Sequence, residues 1–303
     1  MPVERVTVRA PAKLNLHLAA GRRRADGYHD LTTVYQAVGL YDEVVLSVAG
    51  QLSVTASGET AAAMPLDQSN LAARAVLLLA QETGQDPAVA IEIRKGIPVA
   101  GGCAGGSADA AAALVGCDAL WGTGLPRAVL AALAVQLGSD VPFSVQGGTA
   151  LGTGRGERLT PVLGHGSYSW VLALSDDGLS TPAVYAELDR QRDSGPVAVV
   201  SDPGQVLAAL RSGDPVQLGR ALANDLQPAA LALRPALRRV LESGRELGAL
   251  GVLVSGSGPT VMLLARDDGH AVALTAALAG QGVCRAVRRA DGPVHGARVV
   301  EAR

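Results

Sequence analysis

The chain has 303 residues, enough for two ordinary domains, and its 48% hydrophobic and 18% charged content excludes a disordered segment. A formal net charge of -2 and 3% aromatic residues leave neither an electrostatic nor a stacking case for nucleic acid as the main partner. Cys103, Cys117 and Cys284 form no C-x-x-C pair, no apolar run approaches about 18 residues, and Met1 to Leu18 lacks a signal-peptide core, so a cytoplasmic protein with no membrane attachment is expected.

Val3, Val6 and Val8 alternate with polar residues and predict a half-buried strand. Leu14, Leu16 and Leu18 predict a second one after Pro11, and Arg22 to Tyr28 reads as a polar turn. Val44 to Val48 and Leu52 to Thr55 predict strands joined at Ala49-Gly50. Ser69 is placed to cap a helix through Leu71, Leu78 and Leu79 that Gly84 stops. Val89 to Ile93 is a strand, and Ser107 to Leu120 and Pro126 to Leu137 are apolar helices. Thr149 to Gly156 closes the first half. In the second half, a strand at Ser169 to Leu174 precedes a helix at Pro182 to Gln191 and a helical stretch from Pro203 to Leu222. Pro235 opens a helix ending near Gly248. Gly251 to Ala265 reads as strand, tight loop, strand; His270 to Ala279 is a helix, and Val283 to Val287 and Arg298 to Val300 are short strands. The mixed order predicts an α+β fold of two domains, 1–160 and 161–303.

The 37 glycines show no period, but one cluster carries chemistry. Between a strand and an apolar helix lies Pro98-Val99-Ala100-Gly101-Gly102-Cys103-Ala104-Gly105-Gly106-Ser107-Ala108-Asp109. Glycines let a backbone approach a ligand, and the free N–H groups at the start of the following helix favour an anion, usually phosphate. The loop lacks the Gly-Lys-Ser/Thr ending of a Walker A loop and the spacing of a dinucleotide fingerprint. On these grounds alone a tight strand-to-helix turn is an equal reading.

The loop resembles the phosphate-binding motif of the GHMP kinases, Pro-x-x-x-Gly-Leu-Gly-Gly-Gly-Ser-Ser/Ala-Asp/Asn-Ala-Ala. Four further segments match in the family's order: Ala10-Pro11-Ala12-Lys13-Leu14-Asn15-Leu16 with Asp26-Gly27-Tyr28-His29, Leu137 to Phe143, Asn224-Asp225-Leu226, and Val254 to Thr260. Together they are closest to the branch that phosphorylates the 2-hydroxyl of a diphosphocytidyl methylerythritol in non-mevalonate isoprenoid synthesis. The resemblance implies a mixed-sheet N-terminal domain, a ferredoxin-like C-terminal domain, ATP with Mg²⁺, and a small-molecule substrate in the cleft between them. This chain departs from the motif at Cys103 and Ala104, where the family has Leu and Gly; a left-handed Ala104 would be strained by roughly 1 kcal/mol.

The resemblance makes Asp140 the base that accepts the hydroxyl proton and Lys13 its partner, neutralising charge on the transferred phosphoryl group. Without it, Asp140 reads as a capping or surface residue. A charge at Lys13, on an otherwise apolar strand, needs a partner or a site. The loop from Pro98 to Ala108 would hold ATP. Asn15, Tyr28, His29 and Tyr185 would hold the substrate, its base between aromatic rings and its edge at the histidine. Lys95 either touches a phosphate or is a solvated strand end. Ser107 suits helix capping, phosphate contact or Mg²⁺, and Cys103 is either a reactive thiol or a small apolar filler. Arg22 to Arg24, Asp176-Asp177 and Asp267-Asp268 read as surface.

Overall fold

The protein is described from a computed structural model that covers residues 3–176, 178–195 and 202–303. The first half consists of β1 (Arg5–Arg23), β2 (His29–Val48), β3 (Ser53–Gly58), α1 (Leu71–Thr83), β4 (Val89–Lys95), α2 (Gly105–Trp121), α3 (Arg127–Ala134), α4 (Val141–Gln146), β5 (Thr149–Thr153) and β6 (Arg158–Pro161). The second half runs β7 (Tyr168–Leu174), α5 (Thr181–Asp193), α6 (Gly204–Ser212), α7 (Pro215–Ala221), β8 (Ala223–Asn224), α8 (Gln227–Leu233), α9 (Leu237–Glu246), β9 (Gly251–Val254), β10 (Val261–Leu264), α10 (Asp268–Gln281), β11 (Ala286–Gly292) and β12 (Arg298–Ala302).

Two sheets organise these elements. The first has the order β12-β1-β2-β4-β3, with β5 and β6 extending from β2 and β8 beside β1. The second has the order β11-β7-β10-β9 and, with α9 and α10 packed on it, is ferredoxin-like. The last strand returns to the first sheet, pairing Val6 to Arg9 with Arg298 to Ala302.

The two strands read on either side of Pro11 are one. Proline lacks an N–H and normally interrupts a ladder, but here it sits at a register shift between Pro11 and Ala12. On its other side β12 has ended at Arg9 and β8 has not yet begun at His17, so no neighbouring strand requires the missing donor. This gap along β1 matters for the site.

Other boundaries moved for local reasons. Asn70, not Ser69, caps α1, its Oδ1 accepting from Ala72 N at 2.8 Å, while Ser69 bonds to Asp67. The stretch from Pro203 to Leu222 is two helices: Gly213 ends α6 in the left-handed region and Asp214 caps α7. β3 does not form a hairpin with β2; it lies parallel to β4. The main core packs Val6, Val8, Leu14, Leu16, Leu46, Ile91 and Ile93 of the sheet against α1 and α2. The alanines of α2 from Ala110 to Ala113 are all buried, and their small side chains let the helix lie close on the sheet.

Candidate active site

A cleft of about 720 Å³ lies between the two sheets and is lined from both halves of the chain. Its floor is built outward from a buried cation. Lys95, at the end of β4, has its side chain 1% exposed and donates to Asp42 and to Asp109 Oδ2, the latter at 2.8 Å. Asp42 Oδ1 also accepts from the N–H groups of Gly96 and Ile97, at 2.8 and 2.9 Å. These bonds fix the chain as it enters the glycine loop. Lys95 therefore neither lines the cleft nor sits in solvent, which corrects both sequence readings: the two carboxylates enclose it beneath the start of α2. A Cβ on Gly105 would lie 3.1 Å from its ammonium, so the start of α2 packs closely on this lysine.

Above that floor the loop passes through left-handed conformations at Ala100 (φ 52°), Gly102 (φ 78°) and Ala104 (φ 59°). Ala104 is the N-cap of α2 and no side chain caps the helix. The N–H groups of Gly105, Gly106 and Ser107 lack helical acceptors, and all three residues line the cleft. The strain anticipated at Ala104 is present. Ala104→Gly is expected to raise stability by up to about 1 kcal/mol, the relief exceeding the added flexibility of the unfolded chain; a denaturant midpoint that falls would contradict this.

Of the loop residues, Ala100, Gly101, Gly102, Ala104, Gly105, Gly106 and Ser107 face the cleft, whereas Pro98, Val99, Cys103 and Ala108 do not. Cys103 is fully buried and burial pushes its thiol pKa up, so it is the apolar filler rather than a nucleophile. Its carbonyl accepts from Lys13 N at 3.1 Å, inside the gap left along β1 by β12 and β8. The loop thus docks on the free stretch of β1 that carries Lys13 and Asn15.

Lys13 Nζ lies 2.7 Å from Asn15 Oδ1, 3.5 Å from Asp140 Oδ2 and 5.3 Å from the ring centre of Tyr35. Asn15 is held in turn by Thr33 Oγ1, which donates to the His17 carbonyl. Asp140 occupies the N-cap position of α4, yet its side chain accepts no helix N–H. The carboxylate faces the cleft instead. Burial raises the Tyr35 hydroxyl pKa well above its ordinary value, and the Asp140 carboxylate adds to this, so the phenol stays neutral beside the pair.

A second glycine loop, between β9 and β10, closes the other wall. Asn224 Nδ2 donates to the carbonyls of Val254 and Gly256, at 2.8 and 2.7 Å. Thr260 N donates to the Gly101 carbonyl and Ser255 Oγ to that of Gly102. A Cβ on Gly102 would stand 2.5 Å from Ser255 O, so the two loops touch through bare backbone.

At the far end of the cleft lie Tyr28, His29 and Tyr185. Tyr28 is 53% exposed, with the Arg155 guanidinium 4.8 Å from its ring centre. His29 is buried, its ring centre 4.9 Å from that of Tyr185. Sequence reasoning missed Tyr35, Arg155 and Asp189, which also line the cleft. Asp189 carried a usable signal, standing four residues after Tyr185 and so on the same helix face. Arg155, in a glycine-flanked turn, carried none.

Two glycine loops, a Lys–Asp pair and an uncapped helix start share one cleft, and comparison with known proteins gives the class. Residues 70–148 match the GHMP kinases N terminal domain and residues 206–284 the GHMP kinases C terminal domain; the chain belongs to the GHMP kinase family. Among its relatives, the 4-diphosphocytidyl-2-C-methyl-D-erythritol kinase of Nocardia farcinica is 58% identical over 98% of this chain and 96% of its own length. The Mycobacterium tuberculosis protein of the same name is 55% identical over 100% of this chain and 95% of its own. A crystal structure of 4-(cytidine 5'-diphospho)-2C-methyl-D-erythritol kinase superimposes with a TM-score of 0.75 at 35% identity, covering 94% of this chain and 98% of that one. Among the described residues, no helix is long and apolar enough to cross a membrane.

Proposed function

We propose that this chain transfers the γ-phosphoryl group of ATP to the 2-hydroxyl of 4-diphosphocytidyl-2-C-methyl-D-erythritol, a step of non-mevalonate isoprenoid synthesis. The observation that carries the reading is a cleft lined at once by the Lys13–Asp140 pair, an uncapped helix start, and Tyr28, His29 and Tyr185.

Phosphoryl transfer needs positioning and electrostatic stabilisation more than covalent chemistry. The N–H groups of Gly105, Gly106 and Ser107 hold the polyphosphate. Asp140 takes the proton of the substrate hydroxyl as its oxygen bonds to the γ-phosphorus and the bond to ADP breaks. Lys13, held by its contacts with Asn15 and Asp140, offsets the negative charge that develops. Tyr28 and Tyr185 flank the base, His29 reads its edge, and Arg155 beside Tyr28 is placed for the substrate diphosphate. Ser107 contributes a hard hydroxyl oxygen next to the phosphate site, the donor type that suits Mg²⁺ shared with nucleotide phosphates; the ion would neutralise charge on the β- and γ-phosphates.

ADP release is measured with Mg²⁺-ATP and each of three alcohols: the diphosphocytidyl substrate, mevalonate and homoserine. Turnover of the first alone is expected. Turnover of mevalonate or homoserine in its place would discard the substrate assignment and leave the family intact.

A further inference from the structure

The base-reading histidine does not stand alone. His29, the first residue of β2, has its Nε2 2.8 Å from Asp189 Oδ1, and its side chain is only 4% exposed. Asp189 and Tyr185 are one turn apart on α5, so a single helix face supplies both the ring that packs on His29 and the carboxylate that bonds it. That helix is itself tied down. Arg192 Nη1 and Nη2 donate to the carbonyls of Gly21 and Ala20, each at 2.8 Å, at the end of β1. The dyad is thus fixed relative to the sheet that carries Lys13.

A carboxylate only accepts hydrogen bonds, so the proton shared with Asp189 resides on Nε2. In a neutral imidazole this leaves Nδ1 without a proton, as an acceptor. Among the described residues, no group hydrogen bonds to Nδ1, and the residue lines the cleft. Cytosine presents an exocyclic amine donor where uracil presents a carbonyl acceptor. An acceptor nitrogen matches the first and meets a lone pair on the second.

Resting on the cytidyl reading above, we infer that Asp189 is a specificity-positioning residue: by holding the proton of His29 on Nε2, it makes the cleft select an amino-pyrimidine diphosphate over its oxo counterpart. The Asp189 carboxylate acts through the tautomer of its neighbour. A site built to bond one polar group rejects an analogue carrying the wrong one far more strongly than a site that only senses shape.

The test compares kcat/KM for the diphosphocytidyl substrate and its uridyl analogue in the native enzyme and in Asp189→Asn. An amide both donates and accepts, so it satisfies either tautomer of His29 and no longer fixes one. The cytidyl-to-uridyl ratio is expected to fall at least about tenfold in the variant, through KM and not kcat. A residue that only props the helix would lower both substrates alike, and an unchanged ratio would overturn the inference while leaving the proposed reaction standing. Failure of the native enzyme to use the cytidyl substrate would remove the proposed reaction and the inference together. A second measurement needs no variant: ring-nitrogen NMR of His29 in the native enzyme saturated with cytidine diphosphate. A proton on Nε2 and none on Nδ1 is expected, and a proton on Nδ1 would overturn the inference.

Discussion

Asp140→Asn is expected to lower kcat on the order of 10³-fold while leaving the KM for ATP within a few-fold of native. Asparagine keeps the size of the side chain and a polar contact to Lys13 but cannot take up the hydroxyl proton. The carboxylate has no helix-capping duty to lose, since its side chain accepts nothing from α4. The pair with Lys13 is 3.5 Å long and Asp140 is 31% exposed, so its contribution to stability is at most about 1 kcal/mol. Activity should therefore collapse with little change in melting temperature. A variant that retains a tenth or more of native kcat would show that proton transfer from the hydroxyl is not assisted by this carboxylate.

Lys95→Met has the opposite signature. It leaves Asp42 and Asp109 buried without their cation, and breaking a buried ion pair from one side costs about 3–5 kcal/mol. The melting temperature should fall on the order of 10 °C. In the native protein, burial raises the Asp109 pKa, Lys95 pulls it back, and Asp42 pushes it up again. Removing Lys95 raises it further. A carboxyl whose folded pKa is raised above its unfolded value contributes stability that is present at low pH and lost as pH rises. The deficit of the variant should accordingly be largest at alkaline pH and shrink towards the ordinary carboxylate range. Thermal melts at several pH values would check both size and sign; a deficit independent of pH would refute the assignment of the buried charges.

The comparison of Lys13 with Lys95 shows what a chain of residues makes legible. Both are lysines at the ends of apolar strand patterns, but only Lys13 reads as a charge that needs a partner or a site; Lys95 reads as a phosphate contact or a solvated strand end. The motif around Lys13 identified its partner because Asp140 belongs to the same family pattern. Lys95 has no such companion motif, and its partners are 53 and 14 residues away on β2 and α2. Only strand register places Asp42 beside it. The same limit applies to the fold. Many helices and strands followed from periodicity, although the first part of β2, α4 and α8 did not, and the continuity of β1 through Pro11 depends on where β8 and β12 pair, pairings that join residues more than 200 positions apart. Tyr28, His29 and Tyr185 were legible as a set; the bond from His29 to Asp189 was not, because it links a strand start to a helix 160 residues later.

The contact between the two glycine loops bears on how a nucleotide gets in. Gly101 and Gly102 belong to one half of the chain and Ser255 to Thr260 to the other; they are joined by the Thr260 N–H on the Gly101 carbonyl and the Ser255 hydroxyl on the Gly102 carbonyl, with no room for a Cβ at Gly102. A hinge that parted the halves would have to break these bonds. In the proposed reaction these contacts would present the phosphates of ATP with walls that are already assembled, which lowers the ordering cost of binding.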